Sequence, residues 1–223
     1  MRFFLSIIWS SIGRKVIMAL TGMILISFLV VHLIGNLTLF YSNEFFNLYA
    51  HHLESFAFLL VIAEVFLVSV FLVHIITALS LTFDNLNARN VSYKKSANAT
   101  GPSKKTLSSK TMIYTGSLIA VFVVIHIWMF KFGETELTKI DGKKIRDLYT
   151  LVVSAFKSTP VVISYVAAMI ILGFHLKHAF WSAFQSLGLF HLRYTPVIYL
   201  VGTVFAIVWA FGFLAIPIIF YFK

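Results

Sequence analysis

The chain has 223 residues, of which 60% are hydrophobic and only 12% charged, and its mean hydropathy is +0.92. This composition excludes an ordinary water-soluble domain and predicts an all-α integral membrane protein surrounded by lipid. The net charge of +10 then belongs to loops rather than to a nucleic-acid surface, and the absence of cysteine excludes disulfides and thiolate-bound zinc or iron–sulfur sites.

Five stretches are long and apolar enough to cross about 30 Å of hydrocarbon as helices. The first is too long for the apolar core of a cleaved signal peptide, so we expect it to remain in the protein. The predicted helices cover approximately residues 15–41, 56–83, 111–132, 160–187 and 196–221. We expect residues 1–223 to form one membrane domain in which the first four helices build a bundle.

The distribution of lysine and arginine predicts the orientation of the helices. The connection 85–110 contains six lysine or arginine residues, whereas the connection 42–55 contains Glu44 and Glu54 and no lysine or arginine. Since basic loops stay on the cytoplasmic side, 85–110 is predicted to be a cytoplasmic loop and the N-terminus to be cytoplasmic. The loop 133–159, which carries charges of both signs, is then on the outer side.

A histidine lies within each of the first four predicted helices. They are His32, His74, His126 and, in the fourth helix, either His175 or His178. One buried histidine is usually explained by hydrogen bonding between helices, but four of them, one per helix, favour a cofactor. An internal repeat supports this interpretation, because residues 21–32 and 115–126 share Thr, Gly, Phe, Val and a final His at matching positions.

Counting residues from the loops sorts the histidines into two levels. His32 lies 17 residues beyond Lys15 and His126 lies 16 beyond Lys110, which places both about 25 Å from the cytoplasmic ends of their helices. His74 lies ten residues before Asp84, or about 15 Å from the same side. Two histidines at one depth suit the two axial positions of a haem iron, so the sequence predicts two haems.

The fourth ligand has two candidates. His178 lies ten residues before Gly188 and so matches the depth of His74. His175 lies three residues earlier, near the same helix face, and remains the alternative. Both are followed one turn later by a small residue, which leaves room for a flat macrocycle.

Three segments carry a family resemblance. They read SSIGRK at 10–15, HLIGN at 32–36 and HAFWSAFQSLG at 178–188. With the order and spacing of the histidines, they make the chain resemble the cytochrome b subunit of succinate dehydrogenase/fumarate reductase, in its single-chain, five-helix, dihaem form of cytochrome b558 type.

The resemblance implies two haem b groups and a place in the cytoplasmic membrane of a bacterium. It also implies a flavoprotein subunit, which contains the dicarboxylate active site, and an iron–sulfur subunit. In that family the anchor passes electrons between the iron–sulfur subunit and a quinone, usually menaquinone. His74 and His178 would bind the haem nearer the iron–sulfur subunit, and His32 and His126 the haem farther from it.

The resemblance further implies a quinone site near the outer haem. Candidates there are Glu54, Glu64 and His52; Glu64 is well within a predicted helix, so it must be protonated, paired or open to water. Lys177 is a candidate partner for a haem propionate, or it snorkels to the interface. The chain departs from some dihaem relatives in lacking a glutamate just before the fourth ligand, where Leu176 and Gly173 stand instead, so a proton pathway of that kind is not expected.

Two other classes fit the same composition. One is a b-type cytochrome that anchors a different quinone-linked complex, and the other is a transporter or anchor without redox function. A transporter would be expected to have helices interrupted near the midplane in both halves, whereas the only proline well within a predicted helix is Pro217, late in the fifth.

Overall fold

The computed structural model describes residues 9–88 and 107–223, so most of the predicted loop 85–110 lies outside the described residues. The described part is mostly helical and contains five helices long and apolar enough to cross a membrane. The prediction of a helical, multi-pass membrane protein is therefore confirmed. The elements are α1 (Ser11–Leu37), a 3-10 turn (Thr38–Phe40), α2 (Asn43–Ser55), α3 (Ala57–Asn87), α4 (Leu107–Lys110), α5 (Met112–Phe130), β1 (Leu137–Ile140), β2 (Lys143–Arg146), α6 (Leu148–Ala155), α7 (Thr159–Ser186) and α8 (Thr195–Phe222).

The spanning helices are α1, α3, α5, α7 and α8, and their ends lie within four residues of the predicted bounds. Local chemistry explains several of these ends. The Ser10 side chain accepts a hydrogen bond from the Gly13 amide at 3.0 Å and starts α1. Gly188, with a φ of 77°, follows the end of α7, where a left-handed backbone favours glycine. We call the end of the bundle at which α1 begins the proximal end, and the opposite end the distal end.

The centre of the bundle is α7, which packs along α8 and also contacts α1 and α5, while α3 packs mainly on α1. Small residues allow the closest approaches. A Cβ atom added to Gly202 of α8 would lie 2.8 Å from the Phe180 ring, and one added to Gly173 of α7 would lie 3.0 Å from the Ala210 Cβ. Such glycines let spanning helices approach where lipid provides no hydrophobic drive for association.

The predicted outer loop 133–159 is largely folded, which the sequence analysis did not anticipate. Strands β1 and β2 pair antiparallel across Asp141 and Gly142, which both have positive φ angles. An Asp-Gly pair between two short strands favours this tight hairpin. The hairpin, α2 and α6 together form what we call the distal cap, which lies over the distal end of the bundle.

A buried asparagine joins the two helices of the distal cap. The Asn47 amide donates to Asp147 Oδ1 at 2.9 Å, and its Oδ1 accepts from the Tyr149 amide at 2.9 Å. Burial would raise the pKa of Asp147, but hydrogen bonds from Asn47 and Thr150 hold it below its ordinary value of 3.8. The carboxylate therefore stabilises the cap at neutral pH, and that contribution is lost as the pH falls from 3.8 through the lowered pKa of Asp147.

Replacing Asn47 by alanine is expected to destabilise the distal cap by about 1–3 kcal/mol, because the Tyr149 amide and the Asp147 carboxylate lose a buried partner. Thermal unfolding in detergent should show a lower midpoint for Asn47→Ala. The matched control is Asn43→Ala on the same helix, where the side chain is exposed. Equal midpoints for the two variants would contradict this role of Asn47.

Candidate functional site

Two threonines of the internal repeat contact two of the histidines. Thr21 Oγ1 on α1 lies 3.0 Å from His74 Nδ1 on α3, and Thr115 Oγ1 on α5 lies 3.1 Å from His175 Nδ1 on α7. The glycine after each threonine faces the same ring, because a Cβ atom added to Gly22 or Gly116 would lie 3.4 Å from the histidine Cε1. His74 and His175 therefore have equivalent surroundings in the two halves of the repeat.

These contacts favour one position of the ring proton. The Thr21 hydroxyl donates to the Ile17 carbonyl at 2.7 Å, and the Thr115 hydroxyl to the Thr111 carbonyl at 3.1 Å. A hydroxyl has one proton, so each threonine accepts from the histidine Nδ1–H. The lone pair of each neutral imidazole is then on Nε2, which is free to bind a metal.

The proximal pair is made by His74 and His175, which are near enough to interact electrostatically. His178, which the depth count favoured, is half-buried one turn further along α7. It also acts electrostatically on His175, but the described residues provide no hydrogen bond to its ring. Lys177, the predicted propionate partner, is half-buried beside it and likewise has no partner within 9–88 and 107–223.

The distal pair is made by His32 of α1 and His126 of α5. Their ring centres lie 5.7 Å apart and the ring planes are nearly perpendicular, at 87°. His126 Nδ1 lies 3.0 Å from the hydroxyl of Tyr165, a buried residue of α7. Among the described residues, the one hydrogen-bond contact of the His32 ring is a long one of 3.4 Å between its Nε2 and the Asn36 amide nitrogen. The structure thus brings together the two histidines that the sequence assigned to one level.

Aromatic rings surround the distal pair. Phe28 stacks on His32 at 5.2 Å and Phe122 stacks on His126 at 5.7 Å. Phe213 of α8 lies 5.9 Å from His32. The fifth spanning helix, α8, which contains no histidine, therefore also contributes to this site. These rings make the surroundings of the histidine pair largely apolar.

The predicted acidic residues lie at the distal end in two ion pairs. Glu64 of α3 pairs with Lys131 at the end of α5, and Glu54 of α2 lies 3.4 Å from Arg146 of β2. Arg146 also donates to the carbonyls of Gly133 at 3.3 Å and Lys131 at 3.5 Å, which connects the two pairs. The third candidate, His52, is exposed on α2 and has no side-chain bond to this network among the residues described.

Glu64 is at the level of the distal histidines. It lies ten residues before His74, while His32 lies eleven residues beyond Thr21, the partner of His74. At 1.5 Å per residue both distances are about 15–17 Å along antiparallel neighbours. The sequence analysis missed Lys131 and Arg146 as partners because it considered them only as loop charges.

At the proximal end, Arg14 of α1 pairs with Asp84 of α3 and donates to the Ser80 hydroxyl at 2.5 Å. Its Nε is buried and has no acceptor within the described ranges. The structure adds a guanidinium held by Asp84 and Ser80, whose Nε–H has no acceptor among the described residues.

Within 9–88 and 107–223 no three side chains among His, Cys, Asp and Glu converge as a metal site. The histidines meet in pairs instead, and haem iron in proteins is held by one or two such side chains. No family model, curated protein or solved structure matches the chain.

Proposed function

We propose that this protein is the dihaem cytochrome b anchor of a bacterial succinate:quinone oxidoreductase or quinol:fumarate reductase. The observation that supports this most strongly is the meeting of four intramembrane histidines as two pairs at two levels. Since the chain has no cysteine, the iron–sulfur cluster of such a complex would be in a partner subunit, which would exchange electrons with this chain. A flavoprotein subunit would hold the dicarboxylate site. The proximal end would lie on the cytoplasmic side, as the basic loop 85–110 favours, and both partner subunits would bind there.

The distal pair fits a haem in its spacing. A bond between a metal and an imidazole nitrogen is about 2 Å long, so two histidines that would hold one iron need ring centres within about 6 Å of each other. The His32 and His126 centres are 5.7 Å apart. Bound there, haem would supply one-electron transfer, and the enclosing aromatic rings would favour a stable low-polarity site for it.

The proximal pair fits a haem in its chemistry, and it favours His175 over His178 as the fourth ligand. Thr115 fixes His175 in the tautomer that leaves Nε2 available, as Thr21 does for His74. His178 has no equivalent support in the described part of the chain. The free Nε donor of Arg14 suits a haem propionate at this end, in addition to the predicted Lys177.

The Glu64–Lys131 ion pair is the best supported quinone position. Reduction of a quinone consumes two protons, and oxidation of the quinol releases them, so the site needs a group that exchanges protons with the distal aqueous side. Glu64 can accept or return a proton at the level of the distal pair, and Lys131 can donate a hydrogen bond to a quinone carbonyl oxygen. Glu54 and Arg146 extend polar groups from this point to the distal cap.

An optical spectrum of the purified chain tests the haem proposal. The dithionite-reduced minus oxidised spectrum should show b-type bands, and the pyridine haemochrome should give two haems per chain. Absence of haem would overturn the proposal, and a transporter or a structural anchor without redox function would then be the remaining assignment. The control is the double variant His74→Ala/His126→Ala, which should show no b-type bands.

The identity of the complex needs a second experiment. Purification from native membranes in a mild detergent should yield the chain with a flavin-containing subunit and an iron–sulfur subunit, and succinate should reduce its haem. Co-purification with a hydrogenase or a formate dehydrogenase instead would assign the chain to another quinone-linked complex.

A further inference from the structure

The two histidine pairs are supported differently. In the proximal pair both rings donate to threonines that follow the internal repeat, one in each half. In the distal pair His126 is held by Tyr165 from a neighbouring helix, whereas the His32 ring has, within the described part of the chain, only the long hydrogen-bond contact with Asn36 on its own helix. The contacts of the histidines therefore follow the internal repeat in the proximal pair and depart from it in the distal pair.

The position at which the two halves differ can be identified from the spacing of residues along the chain. Tyr165 lies ten residues before His175, and Glu64 lies ten residues before His74. The two residues have the same spacing from the two proximal histidines, and each lies at the level of the distal pair. Tyr165 contacts the histidine of the neighbouring helix, but Glu64 pairs with Lys131 instead. The distal pair thus has a strong cross-helix partner on one side only.

Tyr165 is well fixed for this role. Its side chain is only 6% exposed, and its ring packs edge-on against Phe122 at 4.9 Å and Phe156 at 5.1 Å. With its hydroxyl donating to the Met129 sulfur at 3.9 Å, its oxygen can accept from the His126 Nδ1–H. This directs His126 Nε2 away from Tyr165 as the free ligand atom.

We propose that Tyr165 is a positioning residue that sets the reduction potential of the distal haem through His126, separately from the proximal haem. The inference rests on the proposed haem function. A histidine that donates its second N–H to an acceptor is a more basic ligand, and it stabilises the oxidised iron relative to the reduced iron. Removing the acceptor therefore raises the potential of the haem that this histidine binds.

The test is a spectroscopic redox titration of Tyr165→Phe, which keeps the ring and its packing. One of the two midpoint potentials should shift to a more positive value, and the other should stay unchanged. His126→Ala identifies the distal haem, because the component missing from that variant should be the one that shifts. The matched control is Thr115→Val, which removes the acceptor of His175 and should shift the other component.

The possible failures are distinguishable. If Tyr165→Phe binds two haems with both midpoints unchanged, Tyr165 only packs and the inference is overturned while the haem function stands. A parent protein without haem overturns the function itself. If Tyr165→Phe does not assemble, protein labelled with fluorotyrosine keeps every hydroxyl but weakens it as an acceptor. Its distal midpoint should then shift positively, and an unchanged value overturns the inference.

Discussion

Replacement of His126 by alanine is expected to remove one haem of two and to leave the other in place. His126 faces His32 at a ring-centre distance of 5.7 Å, and no other histidine in the described ranges forms a ring contact with either. The proximal pair has its own partners, Thr21 and Thr115, on helices that the substitution does not interrupt. The pyridine haemochrome should therefore fall from two haems per chain to one.

Redox titration gives this prediction a second measurement, because the remaining haem should titrate as a single component with the midpoint it has in the unmodified protein. The control is His52→Ala, which removes an exposed histidine of α2 and should leave two haems. Loss of both haems with the fold retained, or of neither, would show that the histidines do not pair by level.

The spanning helices could be predicted from the sequence because lipid requires every spanning segment to be apolar and to satisfy its own backbone hydrogen bonds. The levels of the histidines followed from the fixed helical rise per residue. The hairpin at Asp141 and Gly142 could also have been predicted, since an Asp-Gly pair between short alternating segments is a strong signal. It was missed because the segment was considered only as a loop.

Side-chain partners between helices could not be predicted in the same way. The pairing of Glu64 with Lys131 depends on α3 and α5 being neighbours at the distal end, which no spacing along the chain specifies. The contact of Tyr165 with His126 likewise depends on how α7 packs against α5. Counting residues from a loop has an uncertainty of about one helical turn, and one turn is the separation between His175 and His178.

The internal repeat contains the information that the depth count lacked. The contacts in the structure pair Thr21 with His74 and Thr115 with His175. Glu64, ten positions before His74, is at the distal level, and Tyr165, which contacts the distal His126, lies ten before His175 rather than ten before His178. Equivalent halves should place their ligands at equivalent positions, so the repeat favours His175.

Replacement of His175 by alanine is accordingly expected to remove the proximal haem, whereas His178→Ala is expected to keep both haems. In His175→Ala the Thr115 hydroxyl loses its ring partner, and His178, one turn away, has no described hydrogen bond that would fix its tautomer or orientation. Each variant changes one histidine of the same helix, so the two serve as controls for each other. Haem stoichiometry and the number of redox components should separate them.

The reverse result would change the assignment of the site. If His178→Ala lost the proximal haem and His175→Ala kept it, the iron would be bound at the residue favoured by depth, and the contact of Thr115 with His175 would be structural only. Gly116 then provides an independent test, because a Cβ atom added there already lies 3.4 Å from His175 Cε1. A leucine at this position would displace the His175 ring, so Gly116→Leu should weaken the proximal haem only if His175 is its ligand.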